Sequence, residues 1–357
     1  RIQIDFSVNI NPLGIPEEVK DALHQAVDVC MQYPDMEAEQ LKEALSRKFC
    51  LPKTYFLPGN GASELFLGIL HALKPKKVIL PVPSFYGYAY TAKAVGSEVV
   101  CVPLKKEEDF LPGEELVLAL QEDAELLFLA NPNNPTGYLY TRREMNQIRD
   151  LVKKYDLFLF SDEVYREFIY TGSPYISACH LEGIENNVVL IDSVSKRYSE
   201  CGIRIGALIT KNKEIRDAVM KFCQARLSPP LIGQIAAEAS LDAPEEYSRE
   251  TYDEYVERRK CLIDGLNRIP GVYSPIPMGA FYTVAKLPVD DSDKFCAWCL
   301  SDFEYEGQTV FMAPASGFYT TPGSGTNEVR IAYVLKKEDL NRALFILQKA
   351  LEAYPGR

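Results

Sequence analysis

The sequence contains few residues of the kinds that build metal sites, disulfide frameworks or membrane spans. It has only three histidines, and none is spaced as a zinc ligand. Its nine cysteines are an odd number without framework spacing, which favours reduced thiols; the one close pair, Cys296 and Cys299, lies in a segment with a helical pattern. No apolar run approaches the roughly 20 residues that cross a bilayer, and residues 1–5 lack the layout of a signal peptide. We therefore expect a cytoplasmic protein with neither a metal site nor a membrane span.

The chain also lacks a positive charge balance. It carries 39 basic and 50 acidic residues, a formal net charge of −11, which disfavours binding to a nucleic-acid backbone. A local basic pocket for one small phosphate is still compatible with that charge. The length of 357 residues, with 47% hydrophobic and 25% charged residues, is ordinary for a soluble protein and sufficient for a large domain with a smaller companion.

Short apolar, β-branched runs alternate with longer segments of helical periodicity. This alternation predicts an α/β fold with a mostly parallel central sheet that is covered by helices on both faces. The predicted strands are 77–82, 98–103, 126–130, 157–161, 188–192 and 205–210. Only about a dozen residues separate the last two, too few for a usual parallel crossover, so we expect strand 205–210 to be antiparallel to its neighbours. After Pro229, helices and the short strands 279–285 and 329–334 predict a smaller α+β domain.

Two polar motifs directly follow apolar strands, at the edge of an open α/β sheet where ligands bind. The string NPNNPTG, residues 131–137, contains two Asn-Pro steps and a glycine that force a rigid turn. Asp162 follows another apolar strand, where a carboxylate is costly to bury without a cationic partner. A protonated pyridine nitrogen is one such partner, and Tyr165 is close enough along the chain to reach the same ring. An ordinary helix N-cap is the alternative explanation of Asp162 taken alone.

A third motif, the string SVSK, contains Lys196 directly after a predicted strand. Between two buried strands a lysine can lose its proton through desolvation and nearby cations, as nucleophilic catalysis requires. Ser193, Ser195 and Arg204 supply two hydroxyls and a bidentate cation, which suit a phosphate. Residues 59–64 open an apolar helix and add backbone N–H donors of the kind that hold phosphates. Taken singly, a surface lysine and a plain helix start are the alternatives.

Together and in this order, the motifs resemble those of the fold-type I pyridoxal-phosphate enzymes, specifically the class I and II aminotransferases, over nearly the whole chain. The resemblance implies that Lys196 binds pyridoxal 5′-phosphate as a Schiff base. Asp162 would pair with the pyridine nitrogen, while Tyr165 and Asn134 would bind the 3-oxygen; the catalytic residues implied are Lys196, Asp162 and Tyr165. Phe85 would stack on the cofactor ring. The residues implied in phosphate binding are Gly61, Ala62, Ser63, Ser193, Ser195, Arg204 and, in a homodimer, Tyr33 of the partner subunit.

The resemblance also implies substrate contacts and a domain division. Arg330 corresponds to the arginine that clamps the substrate carboxylate, a planar anion that suits a bidentate guanidinium. Asn11 and Gly14 would contribute to the substrate site. An N-terminal segment (1–30) would pack with the small domain. A large domain that binds pyridoxal phosphate (31–245) and a small C-terminal domain (246–357) would follow.

Two parts of the chain resemble different branches of this family. The first third, with the strings DFSVNINPLG and YPD, is similar to histidinol-phosphate aminotransferases and threonine-phosphate decarboxylases. From residue 138 onward, the strings SDEVYREF and SKRYSECGIRIGALIT are similar to aspartate and aromatic aminotransferases. Either the protein is an unusual natural member of the family, or the chain is a fusion of two parent sequences that meet near residues 131–137.

The leading hypothesis is therefore a pyridoxal-phosphate-dependent aminotransferase that moves an amino group between an L-amino acid and a 2-oxo acid. The alternative is a decarboxylase of a phosphorylated amino acid, which would use the same cofactor and break a different bond at Cα. A non-catalytic regulator on the same scaffold is a third hypothesis, although no basic helix-turn-helix segment is evident. The expected partners are these small molecules and a second copy of the chain, and not nucleic acid or membrane.

Overall fold

The secondary structure is that of an α/β protein, and the computed structural model describes residues 2–104, 114–120 and 123–356. The strands are β1 (Ile2–Asp5), β2 (Phe56–Asn60), β3 (Lys77–Val82), β4 (Glu98–Pro103), β5 (Leu126–Ala130), β6 (Phe158–Asp162), β7 (Val188–Ser193), β8 (Ile205–Ile209), β9 (Tyr282–Lys286), β10 (Gln308–Phe311), β11 (Ala313–Pro314) and β12 (Glu328–Ala332). The α-helices are α1 (Glu17–Gln25), α2 (Glu39–Phe49), α3 (Gly61–Leu73), α4 (Gly87–Ala94), α5 (Glu114–Leu120), α6 (Arg142–Tyr155), α7 (Val194–Arg197), α8 (Lys213–Gln224), α9 (Leu231–Leu241), α10 (Glu245–Leu266), α11 (Ser292–Ser301), α12 (Ser316–Tyr319) and α13 (Lys337–Ala353). Short 3-10 helices cover Val27–Met31, Lys53–Tyr55 and Ala178–His180.

The central sheet has seven strands in the order β2-β8-β7-β6-β5-β3-β4. The pairs from β4 through β7 are parallel, whereas β8 is antiparallel to both β7 and β2. The prediction of an antiparallel strand at 205–210 is therefore confirmed. Strand β2 was not predicted, because Pro58 and Gly59 give it a turn-like composition. Its position at the sheet edge explains how it tolerates proline, which cannot donate a ladder hydrogen bond.

Helices cover both faces of this sheet, as predicted. One apolar cluster joins one face to α3, α4 and α8, and another joins the opposite face to α5 and α6. Helix α6 shows how the sequence sets this packing. Thr141 and Glu144 form a capping box at its start, and Met145, Ile148 and Val152 are buried at helical spacing. The strands β5 and β6 between these layers are almost wholly buried, so their carboxyl ends are held firmly in place.

A separate core forms around β9, β12, α10 and α13. Strand β12 lies between β9 and β11 and is antiparallel to both, while β1 pairs in parallel with β10. Phe6, just after β1, is fully buried in this same core. The division into segments 1–30, 31–245 and 246–357 stays a prediction, although these contacts tie the first residues to the C-terminal part of the chain. Within the described residues, no helix is long and apolar enough to span a bilayer.

Candidate active site

A cavity of about 280 Å³ lies where the carboxyl ends of the central strands meet the N-terminus of α3. Its size is near the lower end of the range for small-molecule sites, and its position at the strand ends is typical of α/β proteins. Ten of the residues singled out from the sequence line its wall. They are Ala62, Ser63, Phe85, Asn134, Asp162, Tyr165, Ser193, Ser195, Lys196 and Arg204.

Lys196 lines the cavity from α7, a helical turn of four residues directly after β7. Ser193 starts this turn, because its Oγ accepts a hydrogen bond of 3.1 Å from the backbone N–H of Ser195. The Nζ of Lys196 donates to the carbonyl of Asn9 at 2.6 Å and lies 3.8 Å from Sγ of Cys201. Burial lowers the pKa of the Lys196 amine, and nearby arginines add to that effect. The site therefore increases the fraction of the neutral, nucleophilic amine.

Asp162 ends β6 with its carboxylate in the cavity wall. The hydroxyl of Tyr88 donates to Oδ2 at 2.6 Å, and the backbone N–H of Val164 donates to Oδ1 at 3.1 Å. Burial raises the pKa of Asp162 to about 6, even though both hydrogen bonds favour the ionised form. Each oxygen keeps a free lone pair, so the carboxylate can accept one more donor. A cationic donor in the cavity would offset the cost of burying this charge.

The residues predicted to hold a phosphate surround the first turn of α3. Gly61 has a φ of +75°, and a Cβ added there would lie 2.3 Å from Nη2 of Arg204, so only glycine lets the guanidinium lie against this turn. Arg204 itself has a φ of +60°, which is costly for a residue with a side chain. Oγ of Ser193 lies 2.9 Å from Oγ of Ser195. Together with Ser63, these groups form a cluster of hydroxyls, backbone N–H groups and one cation that suits a phosphate.

Arg330 extends from β12 toward Asn134, although it is not itself among the residues that line the cavity. Its Nη1 donates to Oδ1 of Asn134 at 3.2 Å and its Nη2 donates to the carbonyl of Ser7 at 2.9 Å. The guanidinium lies over the rings of Tyr282 and Phe318, at 4.5 Å and 5.1 Å from their centroids. Its Nε is buried without a hydrogen-bond partner in the described part of the chain.

Tyr165 lines the cavity close to this arginine. Its hydroxyl lies 2.8 Å from the hydroxyl of Tyr282, and burial raises its pKa, so it stays protonated. A protonated phenol can donate to an oxygen of a bound ring. The predicted role of Tyr165 as a ligand of the cofactor 3-oxygen is compatible with this position and stays a prediction.

The predicted residues of the N-terminal region lie outside the cavity wall. Asn11 is buried behind Lys196 and donates to its backbone carbonyl at 3.4 Å. The carbonyl of Gly14 accepts from the hydroxyl of Tyr247 at 2.8 Å. Tyr33 is 89% exposed, as expected of a residue that does not serve its own chain's site. Substrate contact by Asn11 or Gly14, and contact of Tyr33 with a partner's site, stay predictions.

Among the lining residues that were not predicted from the sequence, three have polar side chains. Tyr88 and Cys201 line the cavity, and Asn9 receives the lysine hydrogen bond through its carbonyl. Tyr88 lies only three residues after Phe85, which was the one residue predicted from this aromatic segment. Cys201 lies in the segment between Lys196 and Arg204, so its position along the chain was the available signal. Asn9 acts through its main chain, and its side chain therefore carries no signal.

These residues fit pyridoxal phosphate as the expected cofactor. The buried carboxylate of Asp162 has only neutral donors among the described residues, and a pyridinium N–H would complete its hydrogen bonding. Because Gly61 has no Cβ, the guanidinium of Arg204 can lie beside the first turn of α3, a position that suits a phosphate. Lys196 supplies an amine with a lowered pKa in the same cavity. A lysine, a carboxylate and a group of residues that suits a phosphate are therefore present together.

Comparison with known proteins agrees with this site. The sequence model of the family described as aminotransferase class I and II matches residues 1–347. The chain is 30% identical to an aspartate aminotransferase of Pyrococcus horikoshii over 364 residues, covering 98% of this chain and 90% of that protein. It is 32% identical to a threonine-phosphate decarboxylase of Salmonella typhimurium over 294 residues, covering 81% and 78%. The crystal structure of an aromatic aminotransferase from P. horikoshii superposes with a TM-score of 0.89 at 27% identity, covering 98% and 96%. The decarboxylase similarity extends well beyond the first third, so it does not mark a join at 131–137.

Proposed function

The chain belongs to the aminotransferase class I and II family, and from that premise we propose that Lys196 is the residue on which its reaction depends. The protein is a pyridoxal-phosphate-dependent enzyme that moves an amino group between an amino acid and a 2-oxo acid. The observation that carries the proposal is that Lys196 and Asp162 line one cavity, with Arg330 hydrogen-bonded to its wall.

Lys196 would have two tasks. It would hold the cofactor covalently through Nζ, and on release it would take the proton from Cα of the amino acid and deliver it to the cofactor's 4′ carbon. The lowered pKa of its amine supports both tasks, because only the neutral amine is a nucleophile or a base. The hydrogen bond from Nζ to the carbonyl of Asn9 supports an orientation toward the cavity.

Asp162 would act on the cofactor ring, and Arg330 would act on the substrate carboxylate. Bound pyridoxal phosphate supplies an electron sink for the pair left when a bond at Cα breaks. Asp162 would keep the ring nitrogen protonated, and its buried position strengthens that pairing. Arg330 would orient the substrate carboxylate through its guanidinium, which hydrogen bonds to Asn134 and Ser7 hold in place.

We also propose that the enzyme works in the cytoplasm as a homodimer. All nine cysteines carry free thiols, which suits a reducing compartment. Met31 and Tyr33 are 87% and 89% exposed, and Val27 and Met36 beside them are also exposed. An apolar group of this kind supports a protein contact, in which Tyr33 of the partner subunit would approach the phosphate. Analytical ultracentrifugation tests it: a dimer is expected, and a monomer at the concentrations that support full activity would contradict it.

A panel of amino donors tests the reaction itself. Purified enzyme loaded with pyridoxal phosphate is incubated with each donor and 2-oxoglutarate, and both oxo-acid formation and carbon dioxide release are measured. We expect oxo acid without carbon dioxide. The similarity to a threonine-phosphate decarboxylase makes decarboxylation the weaker second candidate. Carbon dioxide release from threonine phosphate, without oxo-acid formation from any donor, would favour that second reaction and contradict ours.

A further inference from the structure

The hydroxyl of Tyr88 makes a buried hydrogen bond to the carboxylate at the centre of the site. The bond to Oδ2 of Asp162 measures 2.6 Å, and the two residues are 2% and 7% exposed. Burial raises the pKa of Tyr88, and the charge of Asp162 adds to the effect. The phenol therefore stays protonated, so it is the donor and the carboxylate is the acceptor.

The ring of Tyr88 is held independently of this hydrogen bond. It stacks on Phe128 at 5.3 Å between centroids and contacts the edges of Phe66 and Phe85 at 5.4 Å and 5.5 Å. Removing the hydroxyl would leave these contacts in place. The hydroxyl therefore has a role that can be separated from the packing of the ring.

The groups around Asp162 have opposing effects on its ionisation. Burial and the carboxylate of Asp192 on β7 favour the neutral form of Asp162. The hydrogen bond from Tyr88, the backbone N–H of Val164 and the amine of Lys196 favour the ionised form. Asp192 is already paired with Arg197 at 2.5 Å. Tyr88 therefore donates the side-chain hydrogen bond to Asp162. Its hydrogen bond lowers the pKa of Asp162 more than the backbone N–H of Val164 does.

We propose that Tyr88 is a positioning residue for Asp162: its hydroxyl fixes the carboxylate and favours its ionised form, ready to accept the N–H of the cofactor's pyridine ring. This inference rests on the role proposed above for Asp162. Tyr88 also contacts Phe85, which is predicted to stack on the same ring. One side chain therefore supports two groups that face the cofactor.

The test compares two ligands in one variant. Apoproteins of the wild type and Tyr88→Phe are titrated with pyridoxal phosphate and with its 1-deaza analogue, in which C–H replaces the ring nitrogen. The dissociation constants are followed by ligand absorbance between pH 5 and 8. Tyr140→Phe is the matched control, because Tyr140 is equally buried in another core cluster and does not line the cavity.

Tyr88→Phe should weaken pyridoxal phosphate binding about tenfold near neutral pH, as expected for loss of a hydrogen bond to a charged group. Binding of the deaza analogue should not change, because that ligand offers Asp162 no N–H. The pH below which pyridoxal phosphate binding weakens should also move upward. Tyr140→Phe should leave both ligands unaffected. In an Asp162→Asn background, adding Tyr88→Phe should have no further effect.

Equal weakening for the two ligands would overturn the proposal, since it would mean that the hydroxyl only supports the cavity. No weakening would overturn it as well. The ratio of the two dissociation constants is taken within each variant, so a general loosening of the fold cancels. Tyr88→Leu, which also lacks a donor, gives a second measurement of the same ratio. Failure here would leave the role of Lys196 untouched, because that role is tested by attachment of the cofactor and not by this ratio.

Discussion

Replacing Gly61 by alanine should separate phosphate binding from folding. A Cβ at this position would lie 2.3 Å from Nη2 and 2.9 Å from Cζ of Arg204. These atoms are the far end of a flexible side chain, so the guanidinium can move while the backbone of α3 stays in place. The substitution should therefore displace the predicted phosphate-binding cation and keep the fold.

Two costs follow, and they affect different measurements. A left-handed conformation, φ +75° at Gly61, costs a residue with a Cβ about 1 to 2 kcal/mol of folding stability. A lost hydrogen bond to a charged group costs about 1.5 to 3 kcal/mol of binding free energy. The second cost corresponds to roughly 10- to 100-fold weaker binding of pyridoxal phosphate, since each 1.4 kcal/mol is about tenfold.

Gly172→Ala is the matched control. Gly172 also has a positive φ, +68°, but an added Cβ there meets no atom of the described residues within 4 Å. Both variants should lose similar folding stability in urea unfolding. Only Gly61→Ala should bind pyridoxal phosphate more weakly, and its binding of pyridoxal, which lacks the phosphate, should be unchanged. Equal affinities of the two variants for pyridoxal phosphate would refute the prediction that Gly61 and Arg204 bind the phosphate.

Two further predictions concern single side chains. Arg330→Lys loses the planar fork and should raise KM for amino donors about 10- to 100-fold, with cofactor affinity unchanged in absorbance titrations; an unaltered KM would contradict the carboxylate role. Glu200 is buried, its Oε2 has no hydrogen-bond partner among the residues that the structure describes, and burial raises its pKa from 4.5 to about 7. Because its folded-state pKa is raised, the stability it contributes is present below pH 4.5 and is lost, by up to about 3 kcal/mol, as the pH rises through about 7. Glu200→Gln should flatten the pH dependence of urea unfolding between pH 5 and 8, and parallel curves for variant and wild type would contradict this.

The parts of the site that the sequence predicts are those at strand ends. Apolar runs predict the strands of the sheet, and the polar residue after each run predicts the carboxyl end of that strand. Parallel strands bring such ends to one edge, which is why Asn134 and Asp162 line one cavity, and Lys196 joins them from the end of β7. The short connection after Lys196 likewise predicted the antiparallel β8 from chain length alone.

The missed parts depend on long-range packing or on main-chain groups. The hydrogen bond from Tyr88 to Asp162 joins residues 74 positions apart, and no local pattern encodes it. Ser7 and Asn9 accept hydrogen bonds from Arg330 and Lys196 through backbone carbonyls, whose direction depends on the path of the chain and not on the side chain. Interactions of these two kinds become visible only when the fold brings the segments together.

The central claim is that Lys196 is the point of attachment of pyridoxal phosphate. Its most direct test is to reduce the loaded enzyme with borohydride, which fixes the cofactor to the amine that holds it, and to locate the added mass by peptide mass spectrometry. We predict one label per chain, on the peptide that contains Lys196, and none in Lys196→Ala. A label on another lysine of the wild-type enzyme, or equal labelling of Lys196→Ala, would contradict the account.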